Sequence, residues 1–112
     1  MLNQFSRTEI LFGKEAMKKL EQATVAVFGI GGVGGYTVEA LARSGLGNFV
    51  IVDDDKVCLT NLNRQIIATR KTIGQYKVDV MKERILDINP KANVTVHQCF
   101  FLPENSHEFN FP

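Results

Sequence analysis

Apolar and polar positions fall into alternating helix-length and strand-length blocks along the chain. From Thr8 to Glu21, Ile10, Leu11, Ala16, Met17 and Leu20 recur at roughly helical spacing among Lys14, Lys18 and Lys19. That spacing predicts an amphipathic helix lying on something larger, with Gly13 weakening its first half. Ala23 to Gly29 (ATVAVFG) is a β-branched, apolar run without polar alternation, the pattern of a strand covered on both faces in a parallel sheet. Gly29, Gly31, Gly32, Gly34 and Gly35 then turn the chain into a predicted helix, Gly34 to Ser44, with Val38, Leu41 and Ala42 inward. Gly45 and Gly47 stand where a left-handed C-cap is expected. Asn48 to Val52 (NFVIV) reads as a second buried strand, stopped by Asp53, Asp54 and Asp55. Beyond a loop, Lys77 to Ile88 carries Val78, Met81, Ile85 and Ile88 at spacings of three and four, a one-sided helix ended by Asn89 and Pro90. Val94 to Phe100 (VTVHQCF) reads as a third strand whose alternation leaves open which face meets water.

Strands separated by helix-length segments imply right-handed crossovers and a parallel sheet, so the expected architecture is α/β: the N-terminal part of a Rossmann-like doubly wound fold. A free-standing sheet of this size would leave an unpaired edge, and the tail ENSHEFNFP carries neither a strand nor a helix pattern. The 112 residues therefore read as one domain, truncated on its C-terminal side, that belongs to a longer protein or is completed by a partner.

Composition narrows the function classes. Apolar residues make up 45% and charged residues 22%, and 13 Lys plus Arg face 12 Asp plus Glu, which argues against disorder and against bulk electrostatic nucleic-acid binding. The apolar stretch Val25 to Leu41 is interrupted by glycines, Tyr36, Thr37 and Glu39, and MLNQFSRTEI lacks an apolar signal core. A cytoplasmic protein without a membrane span is expected, with Cys58 and Cys99 as separate thiols.

The chemistry begins at GIGGVGG, where Gly29, Gly31 and Gly34 match G-x-G-x-x-G between a predicted strand and a predicted helix. Glycine there admits a close backbone approach by a phosphate, and the helix start supplies free N–H groups with partial positive charge. Asp53 closes the second strand 19 residues after Gly34, placed to accept hydrogen bonds from ribose hydroxyls. A NAD-dependent dehydrogenase accounts for these features equally well. The next segment separates the two. Asn61, Asn63, Arg64 and Gln65 form a dense run of hydrogen-bond formers, and Lys77 opens the following helix. A fork of Arg donors with a mobile Lys charge suits a triphosphate whose charge must be held while one bond breaks. The plain alternatives are a surface ion pair of Arg64 with Asp54 or Asp55, and a solvated first-turn Lys77.

GIGGVGG, IVDDDKVCLTNLNRQ and GQYKVDVMKERILDINP together resemble the nucleotide-binding half of the adenylating superfamily that contains the ubiquitin-activating enzymes and the bacterial proteins MoeB, ThiF and HesA. The wording at Val57 to Gln65 is most similar to the tRNA threonylcarbamoyladenosine dehydratase branch. The resemblance implies an ATP-binding domain in which Gly31 and Gly32 lie under the phosphates and Asp53 holds the ribose. It further implies that Asn61, Asn63 and Arg64 contact the phosphates and that Lys77 neutralises charge at the α-phosphate. Arg7 matches the family's arginine finger into a partner subunit, which implies a homodimer. Mg²⁺ is implied as well, its aspartate expected beyond residue 112, with no metal ligands within the chain. Cys58 is expected to be a small packing residue, Cys99 to lie in the core, and His97 and His107 to form no zinc site.

The resulting expectation is activation of a carboxylate as its acyl-adenylate, with a threonylcarbamoyladenosine on tRNA as substrate. The alternatives are the C-terminal glycine of a ubiquitin-like sulfur carrier in the same chemical class, an NAD-dependent oxidoreductase, and a non-catalytic binding module.

Overall fold

In the computed structural model, which describes residues 3–99, the three apolar runs pair as a parallel sheet. Strands β1 (Thr24–Phe28), β2 (Asn48–Val52) and β3 (Asn93–His97) lie in the order β1-β2-β3. Their register aligns Val25 with Phe49 and Val94, and Val27 with Ile51 and Val96. Because side chains alternate along a strand, these rows share one face, where Phe49 and Ile51 are fully buried. Helices α2 (Gly32–Ser44) and α3 (Lys77–Ile88) cover that face through Val38, Ala42, Val78, Met81 and Ile85. Both crossovers run in the same direction along the sheet, and right-handedness puts both helices on the same side. Every position of β1 except the exposed Phe28 is half-buried, and Thr95 is exposed. The two-sided cover read from ATVAVFG is thus not supplied by the described residues, whereas β3 resolves as Val94 and Val96 inward and Thr95 outward.

The predicted element boundaries hold to within two residues for β1, β2, α2 and α3. Gly45 takes the left-handed C-cap of α2 at φ 105°. Gly47 does not; it passes so close to Glu21 that a Cβ would stand 1.8 Å from the Glu21 carbonyl oxygen.

The N-terminal helix α1 (Ser6–Gln22) departs most from its pattern. Gly13, at φ 84° and ψ 163°, divides it into two helical pieces. Met17 Cε and Phe5 Cδ1 lie 3.2 and 3.8 Å from the Cβ position of Gly45, so the two pieces fold back over the same point. A straight amphipathic helix would lay Ile10 and Leu11 inward beside Ala16 and Met17. The break carries them to an outer tip instead, where Ile10 is 82% exposed, Leu11 79% and Phe12 64%. The expected core roles of the cysteines also change: Cys58 is exposed and Cys99 half-buried, both as free thiols. Phe100, His107 and the tail lie outside the described residues.

One ion pair locks the two helices together. Glu39 on α2, only 9% exposed, accepts hydrogen bonds from Arg84 Nε and Nη2 of α3, the latter at 3.1 Å, with Arg43 Nε 3.7 Å away. These Arg84 hydrogen bonds hold the Glu39 carboxyl below its ordinary range although burial pushes it upward. The folded state therefore gains stability above the unfolded-chain value near 4.5 and loses it as pH falls through the depressed folded value. Replacing Arg84 by Leu leaves a mostly buried carboxylate without its main partner. The expected cost at pH 7 is about 1–3 kcal/mol, below the fully buried case because Arg84 is partly exposed. Urea unfolding of both proteins should show a gap that narrows as the pH is lowered below the unfolded-chain value.

Candidate functional site

Two backbone hydrogen bonds and one carboxylate assemble the carboxyl-terminal edge of the sheet. Gly29 N–H donates to Val52 O at 2.8 Å and Asp53 N–H to His97 O at 3.2 Å, so the ends of all three strands are stitched in line. Asp53 then reaches across: Oδ2 accepts Ile30 N–H at 2.7 Å and Oδ1 accepts Asp55 N–H at 2.8 Å. A carboxylate offers about four acceptor positions, so Asp53 keeps capacity for a further donor after fixing the turn.

The glycines of that turn have separate reasons. Gly29 sits at φ 92°, a left-handed conformation that a Cβ disfavours. At Gly34 a Cβ would stand 1.9 Å from the Gly29 carbonyl oxygen, so α2 can approach the end of β1 only with glycine there. Gly32 is different: its φ is not positive and a Cβ would meet no atom within 4 Å. The described residues place no steric or conformational demand for glycine at 32. The N-cap of α2, Gly31, provides no side-chain hydrogen bond, and the first turn holds no acidic residue. The opening N–H groups of the helix, at the positive end of its dipole, thus have no side-chain cap among the described residues.

Lys77 is drawn to the same edge by the loop that precedes it. Val57 N–H donates to Gln75 O at 2.8 Å, Gly74 N–H to Val57 O at 2.9 Å and Lys77 N–H to Asp55 O at 3.0 Å. These bonds strap the start of α3 to the segment leaving β2. Lys77, 6% exposed as a residue, places Nζ 3.8 Å from Asp55 Oδ2. It is a buried, loosely paired cation and not the solvated first-turn residue of the plain alternative.

Asn61, Asn63 and Arg64 belong to a 3-10 turn, Leu59–Asn63, and its exit. Asn61 is buried; its Oδ1 accepts Cys58 N–H at 2.8 Å, and its carbonyl takes the N–H groups of Arg64 and Gln65 at 3.2 and 2.9 Å. Arg64 is exposed and pairs with neither Asp54 nor Asp55. Its Nη1 donates instead to Thr60 O and Asn63 Oδ1, each at 3.1 Å, which leaves the rest of the guanidinium fork unengaged. Cys58 serves this turn as its cap, which is why it is exposed and not packed.

Gln65 received no role from the sequence beyond membership of the polar run. In the structure its Nε2 lies 3.4 Å from the Cβ position of Gly31, and Ile66 Cγ2 lies 3.3 Å from that of Gly35. The exit of the 3-10 turn thus packs on the start of α2. Gly29, Gly31, Gly32, Gly34, Asp53 and Gln65 are gathered at this edge, with Lys77 held just beyond Asp53 through Asp55. Arg7 is not among them: its neighbours Gln4 and Phe5 are anchored at Ile88 O and beside Gly45, at the far ends of α3 and α2.

Asp53, Asp54 and Asp55 bring carboxylate oxygens within 4.8 Å of one another. Lys77 Nζ, 3.8 Å from Asp55 Oδ2, already sets a positive charge at this cluster, which opposes a divalent cation there. No other group of potential metal ligands occurs among the described residues.

Residues 5–111 match the ThiF family. Among curated proteins, the chain is 51% identical over 109 residues to the tRNA threonylcarbamoyladenosine dehydratase of Bacillus subtilis, covering 97% of this chain and 43% of that protein. It is 45% identical to the protein of that name from Escherichia coli, over 95% of this chain and 40% of the relative. With the vegetative HesA protein of Trichormus variabilis it shares 37% identity over 93% and 40% of the two chains. Among solved structures, the E. coli dehydratase TcdA in complex with ATP superposes with a TM-score of 0.91 at 46% identity, over 94% of this chain and 43% of that one. The chain thus spans about two fifths of the length of these relatives.

Two glycine substitutions should separate the fold's demands from those of a ligand. Gly34→Ala is expected to destabilise by about 3 kcal/mol or more, because backbone must move to admit the methyl group. Gly32→Ala should leave the unfolding free energy measured in urea unchanged within about 0.5 kcal/mol, since its methyl meets no atom of the described residues within 4 Å.

Proposed function

The chain belongs to the ThiF family, and on that premise we propose that it is the nucleotide-binding part of an ATP-dependent adenylating enzyme, a tRNA threonylcarbamoyladenosine dehydratase. The observation that carries this reading is the uncapped start of α2, fixed by Asp53 at the strand ends beside a buried lysine. The choice of substrate is supported by identity, 45–51% to the dehydratases against 37% to HesA.

In the proposed reaction a carboxylate of the modified nucleoside on tRNA attacks the α-phosphorus of ATP. A new C–O–P linkage forms, the bond from the α-phosphorus to the bridging oxygen breaks, and pyrophosphate leaves. The neighbouring carbamoyl group then attacks the activated acyl carbon, a ring closes and AMP departs, for net loss of water. No protein nucleophile is required, so catalysis is positioning and charge stabilisation. The N–H groups at Gly31, Gly32 and the first turn of α2 take the phosphate oxygens, while Asp53 takes the ribose with its remaining acceptor capacity. Lys77 moves from its long contact with Asp55 to the α-phosphate, where negative charge grows. Arg64 turns the unengaged part of its guanidinium toward the phosphates, steadied by Asn63, and Asn61 offers its amide nitrogen while its oxygen holds the turn. Mg²⁺, which the resemblance implies, finds no fitting carboxylate among the described residues, and no step is routed through it.

Arg7 acts across a homodimer in this reading. It sits at the opposite end of α2 from the glycine turn, about 20 Å of helix away, so its guanidinium is out of reach of the turn on its own chain. The apolar tip Ile10, Leu11 and Phe12 lies on the same helical piece and supplies surface for a second copy to cover.

In the full-length enzyme, Arg64→Ala and Lys77→Ala should each slow tRNA-dependent ATP–pyrophosphate exchange by on the order of 2–4 kcal/mol of transition-state stabilisation. Rates within a few-fold of the parent for both would refute their roles. Mixing equal amounts of inactive Arg7→Ala and Lys77→Ala subunits should restore about a quarter of the parental rate, since half the dimers then hold one intact composite site. If the mixture stays inactive while subunits exchange, Arg7 does not act in trans.

A further inference from the structure

From Lys56 to Val78 the chain holds five lysines and arginines and no aspartate or glutamate, which leaves eight basic against twelve acidic residues elsewhere. The near-neutral total therefore hides a segregation of charge. Two of the five, Arg64 and Lys77, belong to the candidate site. The other three, Lys56, Arg70 and Lys71, are exposed, and none forms an ion pair among the described residues.

The loop that carries Arg70 and Lys71 is fixed without using their charges. Thr69 N–H donates to Thr72 Oγ1 at 2.9 Å, the Thr72 hydroxyl donates to Ile67 O at 2.9 Å, and Gln75 Nε2 donates to Lys71 O at 3.1 Å. Ile67 is 1% exposed, so the turn is tied to the core while its cations stand outside. At the base of the loop Lys56 and Tyr76 form an antiparallel bridge. Lys56 Nζ lies 5.1 Å from the Tyr76 ring centroid, within the range in which the ring face attracts an ammonium. That closure joins Lys56 to the same surface element, whose two ends carry Arg64 and Lys77.

A surface built for solubility alone mixes both signs. Cations gathered on one loop without acidic residues repel one another, and a polyanion relieves that repulsion. An ordered loop on the rim of a site is also where binding residues concentrate.

We propose that Lys56, Arg70 and Lys71 form a docking surface for the phosphate backbone of the tRNA. This rests on the tRNA reading and extends it from the reacting nucleoside to the backbone around it. The three cations position the RNA without reading its bases, while Arg64 and Lys77 remain with ATP. Because one loop carries both sets, RNA seated on its outer turn lies beside the nucleotide.

The test uses the full-length protein, fluorescently labelled tRNA with and without the threonylcarbamoyl group, and a series of KCl concentrations. The double variant Arg70→Gln/Lys71→Gln should raise Kd about tenfold, equally for both RNAs, and lower the slope of log affinity against log salt by about one to two. In ATP–pyrophosphate exchange the KM for tRNA should rise, with kcat and ATP affinity unchanged. Arg70→Lys retains the charge and should bind within a few-fold of the parent. Unchanged affinity and salt slope in the double variant, with the parent binding tRNA, would overturn the docking surface and leave the substrate reading standing. Equal losses for ATP and tRNA would assign the cations to the nucleotide site, and a loss confined to a ubiquitin-like carrier would assign them to a protein partner; either result overturns the proposal. An equal loss in Arg70→Lys, with a lowered melting temperature, would reduce Arg70 to a structural residue. A parent that binds no tRNA would sink the reading beneath it.

Discussion

The Asp53 carboxylate is the point on which the candidate site depends. Beyond the last backbone bonds between the strands it joins two chain segments, taking Ile30 N–H from the turn after β1 and Asp55 N–H from the turn after β2. The first bond sets where α2 begins, and the second sets the path that leads to Lys77. One side chain thereby fixes the distance between the helix start and the buried cation. A carboxylate suits this position because it accepts from two backbone groups and still retains lone pairs. The same ties keep it from rotating, so a ribose placed against it meets an acceptor already oriented.

Much of this arrangement was legible in the chain, because the features that build it are local. Apolar runs of strand length, a glycine pattern between strand and helix, and the spacing of Val78, Met81 and Ile85 each announce their element without reference to distant residues. What failed depended on tertiary context. Ile10 and Leu11 keep helical periodicity, but Gly13 turns the helix back and takes their partners away. Cys58 has the size of a core residue, yet its place at the mouth of the 3-10 turn assigns it to a cap. ATVAVFG promises cover on both faces, and the register gives α2 and α3 to only one.

The site residues divide along the same line. Gly34 and Asp53 could be placed from motif and spacing, since the geometry that needs them is that of the strand-to-helix turn itself. Gln65 could not, because nothing in NLNRQ reveals that the last residue of the run folds onto Gly31. That contact is a property of packing, visible only when the two segments meet. The structure also adds internal duties that the sequence did not announce. Asn61 Oδ1 holds Cys58, Asn63 Oδ1 holds Arg64, and Lys77 leans toward Asp55. Asn61, Asn63 and Arg64 are each held through one atom and keep another for use, whereas Lys77 has the one Nζ, whose contact with Asp55 is long at 3.8 Å.

That division has an energetic logic. A cluster of donors around an anion site is strained by its own charge before the anion arrives, and long side chains lose rotamer freedom when they are immobilised. Here the weak partners reduce both costs. The long contact between Lys77 and Asp55 shields the buried ammonium without the tight geometry that would make it costly to break, and the Asn63 contact restrains Arg64 on an exposed turn where such a bond is worth little. In the proposed reading, a polyphosphate that replaces these partners gives up little and gains charge-assisted bonds. The glycine turn, by contrast, is held by short bonds to Asp53 and by steric contacts that tolerate no methyl group. Rigidity is thus concentrated at the N–H groups of the helix start, and looseness at the side chains that the proposed reaction requires to move.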